Sequence, residues 1–451
     1  MSSVNTAPAA GASQGLVVIP TEAYLSEQYA RAERTKLWSK VWQIACRSEE
    51  LPKVGDYVTY EILDESIILV RSAPEKISGY YNVCQHRGRR LMEGCGHARQ
   101  FRCPFHGWTW NLEGKNVFVL DRDDWSGVSE ERLRLKEVKV EVWGGWVWIN
   151  MDPHAPPLRE YLEPAVSMLK AFEFDKMRYR WRQWLDFRCN WKVAIEAFIE
   201  SYHVDVTHPQ LSKYANTNWW CKAENHCSWH GLGKPRQGVR SGAGIASVRT
   251  VAGEDARTIV AEFHNELART LDATTTATLV RAANRLVEEL PAGTPPDQVN
   301  AHLLASARRD DAARGVIWPD ITDAHLMAVG HDWHIFPNTV ILLGPTYSLC
   351  YRARPKGYDP EACIFEVYVL ERFPEGQEPT TAWVNLPEPT EESWRKILPQ
   401  DFSNMAQIQK GMRSQGFSGS MPSPVQELTV IHFHRLLSHY MEIGAPQAIR
   451  I

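Results

Sequence analysis

The chain holds no run that approaches the roughly eighteen uninterrupted apolar residues of a membrane-spanning helix, so no span is expected. Its first fifteen residues are small and polar and lack a basic start followed by an apolar stretch, so no secretory leader is expected either. Charge of one sign is also missing. A net charge of −4 over 451 residues offers no basic surface for nucleic acid. The nine cysteines form no paired framework, and an odd set in so long a chain reads as reduced thiols in a cytoplasmic setting. No G-x-G-x-x-G follows a strand pattern. The pairs Gly231/Gly233 and Gly242/Gly244 lack the rest of that fingerprint, so no flavin or nicotinamide site is expected within the chain.

What is present is metal-binding chemistry. Cys84-Gln85-His86 is followed, after sixteen residues, by Cys103-Pro104-Phe105-His106. Two mixed Cys/His pairs suit a Rieske [2Fe-2S] centre, in which two thiolates hold one iron and two imidazoles the other. A tetrahedral zinc site is the alternative for two cysteines and two histidines. Zinc fingers, however, usually place both cysteines before both histidines, and here each pair is mixed. Gly88 and Gly107 follow the histidines closely, as tight ligand loops require.

The surrounding pattern gives an α+β chain. Residues 1–20 read as a disordered or loosely draped arm and 21–48 as a leading helix. Residues 49–155 read as a β domain whose hairpin tips carry the Cys/His pairs. Pro153, Pro156 and Pro157 mark a boundary, and 156–451 reads as a second domain with an antiparallel sheet surrounded by helices. Within it, Asn190 to Tyr202 is expected to form one helix, and about 252–314 a helical insertion. Residues 252–290 are expected to be continuous up to the Pro291–Asp297 break. Alternation along Cys363 to Phe373 predicts a half-buried strand, and Asp401 to Met441 is expected to be mainly helical.

The second domain carries the second signal. Glu196, Glu200 and His203 are spaced four and three, which places them on one helix face; His208 follows five residues on, ahead of Pro209. Two imidazoles and one carboxylate with open positions suit non-haem iron(II). Asp205, which lies between the two histidines, is one candidate carboxylate.

Together, the two motifs in this order resemble the catalytic α subunit of Rieske non-haem iron oxygenases, the aromatic-ring-hydroxylating dioxygenases and related monooxygenases. The resemblance runs over nearly the whole chain. It implies a Rieske domain inserted after the leading helix and a helix-grip (START-like) catalytic domain. It assigns Cys84, His86, Cys103 and His106 to the [2Fe-2S] cluster, and His203, His208 and Asp401, in the segment Gln400 to Asn404, to a mononuclear Fe(II); Asp205 is the rival carboxylate, and the alternative for Asp401 is an aspartate that interacts with a helix dipole. Glu200 becomes the acidic link to the Rieske histidine of a neighbouring subunit in a homotrimer, with or without a small β subunit. An NAD(P)H-dependent reductase, directly or through a ferredoxin, supplies electrons. Arg87, Arg89, Arg90, Arg99 and Arg102 either steer that donor or form internal ion pairs. Two further cysteines of the respiratory Rieske proteins are Arg89 and Phe105 here, which points to the oxygenase or ferredoxin branch. Ala197 replaces the usual asparagine.

The resemblance implies hydroxylation, foremost dihydroxylation, of an aromatic or other hydrophobic ring with O2. Glu200, where aromatic dioxygenases most often carry aspartate, favours the alternative of oxidative cleavage or demethylation of a quaternary ammonium or methylated amine. A pure Rieske electron carrier is the reading of another class, and the second histidine motif argues against it. The pocket is expected from Ala197, Phe198, Ser201, Trp219, Trp220 and strands near 333–349. The insertion either caps that pocket or makes a subunit contact.

Overall fold

The computed structural model describes residues 15–212, 214, 217–235 and 254–449. The chain forms two compact units, one over Arg31–Tyr161 and one that joins the chain before Arg31 to the chain from Leu162 onward.

The first unit is built on a seven-stranded antiparallel sheet. Its order is Gln43–Arg47, Trp146–Asn150, Glu137–Trp143, Lys76–Tyr81, Glu65–Ala73, Asp56–Ile62 and Cys95–His97. Val58, Tyr60 and Ile62 alternate inward, whereas Ile67 to Val70 are buried without interruption at the sheet's centre. A small three-stranded sheet, Phe101–Arg102, Thr109–Trp110 and Asn116–Phe118, carries the second Cys/His pair at its first turn. The leading helix is shorter than expected. Helical turns cover Glu22–Leu25 and Glu27–Glu33, a π-helical turn covers Arg34–Trp38, and Gln43–Arg47 is a strand. All five residues of that strand are buried against Trp146–Asn150, so sheet pairing overrides helical spacing.

In the second unit an eight-stranded sheet runs in the order Thr217–Glu224, Cys227–Pro235, Asp332–Ile335, Thr339–Leu343, Tyr347–Pro355, Cys363–Glu371, Arg178–Phe187 and Val384–Asn385. All neighbours are antiparallel except the last pair. The helix Leu428–Met441 packs against its first two strands, and Trp191–Glu196 against Tyr347–Pro355 and Cys363–Glu371. Cys363–Glu371 is buried on both faces rather than one, with Ile364 alone partly exposed. One side carries Phe365 against Phe198; the other holds Tyr368 against Tyr179 and Trp383. The polar Glu366 is tolerated because Arg352, its direct cross-strand partner, donates to it at 2.5 and 3.0 Å. The described part of the N-terminal arm is likewise engaged. Val17–Val18 pairs with Gln447–Ala448, and Ile19 bridges Ser420 and is fully buried; residues 1–14 lie outside the described residues.

The insertion is three helices, Ala256–Thr270, Ala277–Glu289 and Pro296–Ala313. Asp255 and Thr276 cap the first two through their side chains. The expected continuous helix divides at Leu271 to Thr276, where Asp272 and Thr274 take positive φ and a run of threonines weakens helical preference. Arg180 fixes the break by donating to the Thr275 carbonyl and to Asp272 Oδ1. Val260, Leu279, Leu286, Val299 and Leu303 form one buried cluster with Tyr347 of the sheet. The C-terminal region likewise divides into Ile397–Gly411 and Leu428–Met441.

Candidate metal centres and pocket

The two Cys/His loops of the first unit are near copies. Cys84 N–H donates to Arg89 O and Gly88 N–H to Cys84 O, at 2.8 and 3.0 Å. Cys103 N–H donates to Trp108 O and Gly107 N–H to Cys103 O, at 2.8 and 2.9 Å. Gly88 and Gly107 adopt φ of 79° and 74°, a region costly to residues with a Cβ. Both cysteines are buried with Phe101, Trp108 and Trp110, while His86 and His106 sit half-buried. The two rings lie 4.7 Å apart, and Trp108 stacks on His86 at 4.8 Å. Two buried thiols beneath two adjacent surface imidazoles fit a cluster with one all-sulfur and one imidazole-bound iron. The five arginines around these loops are exposed; Arg90 pairs with Glu61 at 3.0 Å, and Arg87 lies over Phe105.

In the second unit Asn190 starts the helix Trp191–Glu196. Its side chain accepts from Lys192 N–H at 3.0 Å and donates to Tyr24 O and Pro360 O. The helix then stops short of the Tyr202 expected for it. Glu200 accepts the backbone N–H groups of Tyr202 and His203, an alternative to helical bonding that ends the helical run. Glu196 consequently leaves the face of Glu200 and His203. It accepts from Tyr24 at 2.8 Å and contacts His434 Nε2 at 2.7 Å, tying the N-terminal segment to the C-terminal helix.

Three of the expected residues converge. One nitrogen each of His203 and His208 and one oxygen of Asp401 lie within 4.8 Å of one another. Asp401 Oδ1 is 3.0 Å from His208 Nε2 and 3.7 Å from His203 Nε2. Each ring is held through its other nitrogen, His203 Nδ1 by Glu200 at 2.6 Å and His208 Nδ1 by Gln400 at 2.9 Å. Both Nε2 atoms are therefore left toward Asp401, the arrangement that a metal-binding imidazole requires. Burial would lower the His203 pKa, but Glu200 and Asp401 outweigh it and raise it to about 9. That surplus of negative charge is what a divalent cation neutralises. Asp205 does not join the group. Gln400, which the sequence reading passed over, also accepts from Gln210 at 2.7 Å.

Beside this group opens a cavity. Ala197, Phe198, Ser201 and Trp219 line it as expected, with Leu342 and Tyr347 from the sheet. Trp220 does not; its ring lies over Gly231 and Gly330. The insertion supplies much of the remaining wall: Phe263, His264 and Leu267 from its first helix, Leu279 and Leu304 from the others. The wall is apolar and aromatic, and its described residues include no Lys or Arg. The polar exceptions on the sheet are His331 and Asp332. Behind them lies His230, whose Nε2 is 2.8 Å from Ser201 Oγ.

Family models match both units. A Rieske [2Fe-2S] domain matches residues 41–121, and a ring-hydroxylating α subunit (catalytic domain) matches 174–443. The carnitine monooxygenase oxygenase subunit of Escherichia coli (strain K12) is 30% identical over 224 residues, 49% of this chain and 60% of the relative's own length. Among solved structures, a quaternary ammonium Rieske monooxygenase in complex with L-carnitine aligns with a TM-score of 0.62 and 18% identity, covering 95% of this chain and 97% of the other. Naphthalene 1,2-dioxygenase with indole bound aligns at 0.63 and 18%, covering 95% and 93%. These structures share the fold, and both substrate types occur on it.

Proposed function

The chain belongs to the ring-hydroxylating α-subunit family, and we propose that it is the terminal oxygenase of a multicomponent system that oxidises an apolar, ring-bearing substrate. A separate reductase, with or without a ferredoxin, would supply electrons, and a head-to-tail homotrimer would bring Glu200 of one subunit toward the Rieske loops of the next. The cavity wall carries the reading: apolar and aromatic side chains beside the His203–His208–Asp401 group, with no described lysine or arginine to receive a carboxylate.

When bound, the cluster held by Cys84, His86, Cys103 and His106 supplies single electrons, and the iron held by His203, His208 and Asp401 activates dioxygen. The chain's own residues do the rest. Glu200 and Gln400 fix the tautomer and direction of the two imidazoles. The insertion helices close the wall and keep water from the substrate. Phe198, stacked on Tyr351 with centroids 4.1 Å apart, offers a flat surface beside a ring.

Demethylation or cleavage of a methylated amine is the second reading. Glu200 favours it, as does the group of aromatic faces that could hold an ammonium, and the carnitine relative acts on such a compound. Single turnover of the reduced, iron-replete protein under labelled oxygen, with a panel of polycyclic aromatics, aromatic acids and quaternary amines, tests both. Two labels in a ring product support dihydroxylation. One label, or loss of an alkyl group as aldehyde, supports the second reading, and no label in any product refutes the oxygenase assignment.

A further inference from the structure

Three carboxylates line the cavity, and two are committed. Glu200 accepts from His203 and from two backbone amides, and Asp401 faces His203 and His208. The third is Asp332, on the strand between Cys227–Pro235 and Thr339–Leu343. It is 5% exposed, lines the cavity, and its Oδ1 has no hydrogen-bond partner among the described residues. Its cross-strand neighbour His230 does not serve it. His230 Nε2 lies 3.9 Å from Oδ2, beyond hydrogen-bond range, and next to Ser201 Oγ. Burial lowers the His230 pKa to about 3, so the ring is neutral with a single N–H, and the Ile199 carbonyl accepts from it. No described arginine or lysine reaches this wall.

A buried carboxyl without a donor is costly to leave unmatched, and native structures rarely do so. Here the residue that carries the unmatched oxygen lines the cavity beside the His203–His208–Asp401 group. We propose that Asp332 is a specificity-determining residue that accepts an N–H from an amine nitrogen carried by an otherwise apolar substrate. The lining divides in agreement with this. Leu342, directly opposite Asp332 across the strand pair, and Leu267 and Leu304 from the insertion meet the apolar body, and Asp332 meets the nitrogen. A protonated amine fits best. It brings both the N–H and the charge to a wall whose described residues include no Lys or Arg, and its charge favours the ionised carboxylate against the burial that pushes the Asp332 pKa up. An amine-free ring leaves the carboxyl as it is and gains nothing from it.

The inference rests on the cavity being where substrate binds, and its test is separable from turnover. Dissociation constants for naphthalene and 1-naphthylmethylamine are measured by calorimetry on the full, metal-loaded chain, with iron content and the cluster's visible spectrum as controls of integrity. The wild type is expected to bind the amine about tenfold or more tightly than naphthalene. Asp332→Leu is expected to bring the ratio to about one or below, chiefly by weakening the amine. Asp332→Asn, close in size and still an acceptor, is expected to fall between. The same ratio in the wild type and in Asp332→Asn and Asp332→Leu overturns the proposal even if the chain oxygenates one of the panel compounds. A ratio that falls with Asp332 upholds it even if neither compound is turned over.

Discussion

Gln400 makes a prediction about the iron site that does not depend on knowing the substrate. Its Oε1 accepts from His208 Nδ1 at 2.9 Å and from Gln210 Nε2 at 2.7 Å, so the ring that must present Nε2 toward Asp401 is held from behind. Gln400→Leu keeps the approximate volume and removes both acceptors. Loss of such outer hydrogen bonds typically lowers metal affinity about 10–100-fold, or about 1.4–2.7 kcal/mol at 1.36 kcal/mol per tenfold. Two stranded donors add a stability cost of about 1–3 kcal/mol each where water cannot reach them. Gln400→Glu retains an acceptor for both donors and should hold iron at least as well as the wild type. The assay is mononuclear iron retained per chain during dialysis against chelators of graded strength, with the cluster absorbance as an internal reference. If Gln400→Leu retains iron like the wild type while Gln400→Glu loses it, the hydrogen bond does not orient His208 and the reasoning fails.

Burial would raise the pKa of Glu366, but the facing Arg352 and Arg354 outweigh it and hold the carboxyl at about 2, against an ordinary 4.5. The resulting stability, about 3 kcal/mol, is fully present above the ordinary value and lost as pH falls from about 4.5 through about 2; denaturant midpoints for wild type and Glu366→Gln should converge in acid, and parallel curves would refute this. Asn190→Ala removes a helix cap and leaves the Tyr24 and Pro360 carbonyls without their donor, so a loss of about 2–4 kcal/mol is expected in urea unfolding; a loss within about 0.5 kcal/mol would show the cap to be idle. His203→Ala should lose the mononuclear iron and keep the cluster's colour, and unchanged iron content would remove His203 from the site. Glu200→Gln should keep both metals but slow transfer between them, read as the rate of cluster reoxidation in the presence of substrate; an unchanged rate would take Glu200 out of any relay.

The parts of the site legible in the sequence were those encoded locally. Cys84/His86 and Cys103/His106 each lie within one turn-sized loop, and His203 and His208 are five residues apart, so residue type and spacing carry the chemistry. Asp401 is remote, and it was found through family resemblance rather than spacing. Gln400, one position before it, carries no signal of its own; glutamine is common on helices, and its partners His208 and Gln210 lie some 190 residues away. Asp332 was hidden for the same reason, since its place on the cavity wall depends on strand order. The errors in secondary structure share a cause as well. At Gln43–Arg47, at Glu200 and at Leu271 to Thr276, the local pattern is compatible with helix, and a distant strand, a side-chain carboxylate or an arginine from the sheet decides otherwise.

The same division separates chemistry from selectivity. Residues that match the family motifs, Cys84, His86, Cys103, His106, Glu200, His203, His208 and Asp401, are the ones proposed to hold the metals or to orient a ligand. The cavity wall also draws on residues outside those motifs: the three helices of 256–313, the strand that bears Asp332, and Tyr347, which joins the insertion's core to the sheet. Carnitine pairs a quaternary nitrogen, which has no N–H, with a carboxylate, and each feature finds an ill-suited partner here. The unmatched Asp332 oxygen calls for a donor, and the carboxylate meets no described lysine or arginine. An apolar ring that carries a protonated amine satisfies both conditions with the same residues. It takes one feature from each kind of relative, the ring from the aromatic dioxygenases and the cationic nitrogen from the quaternary ammonium enzymes.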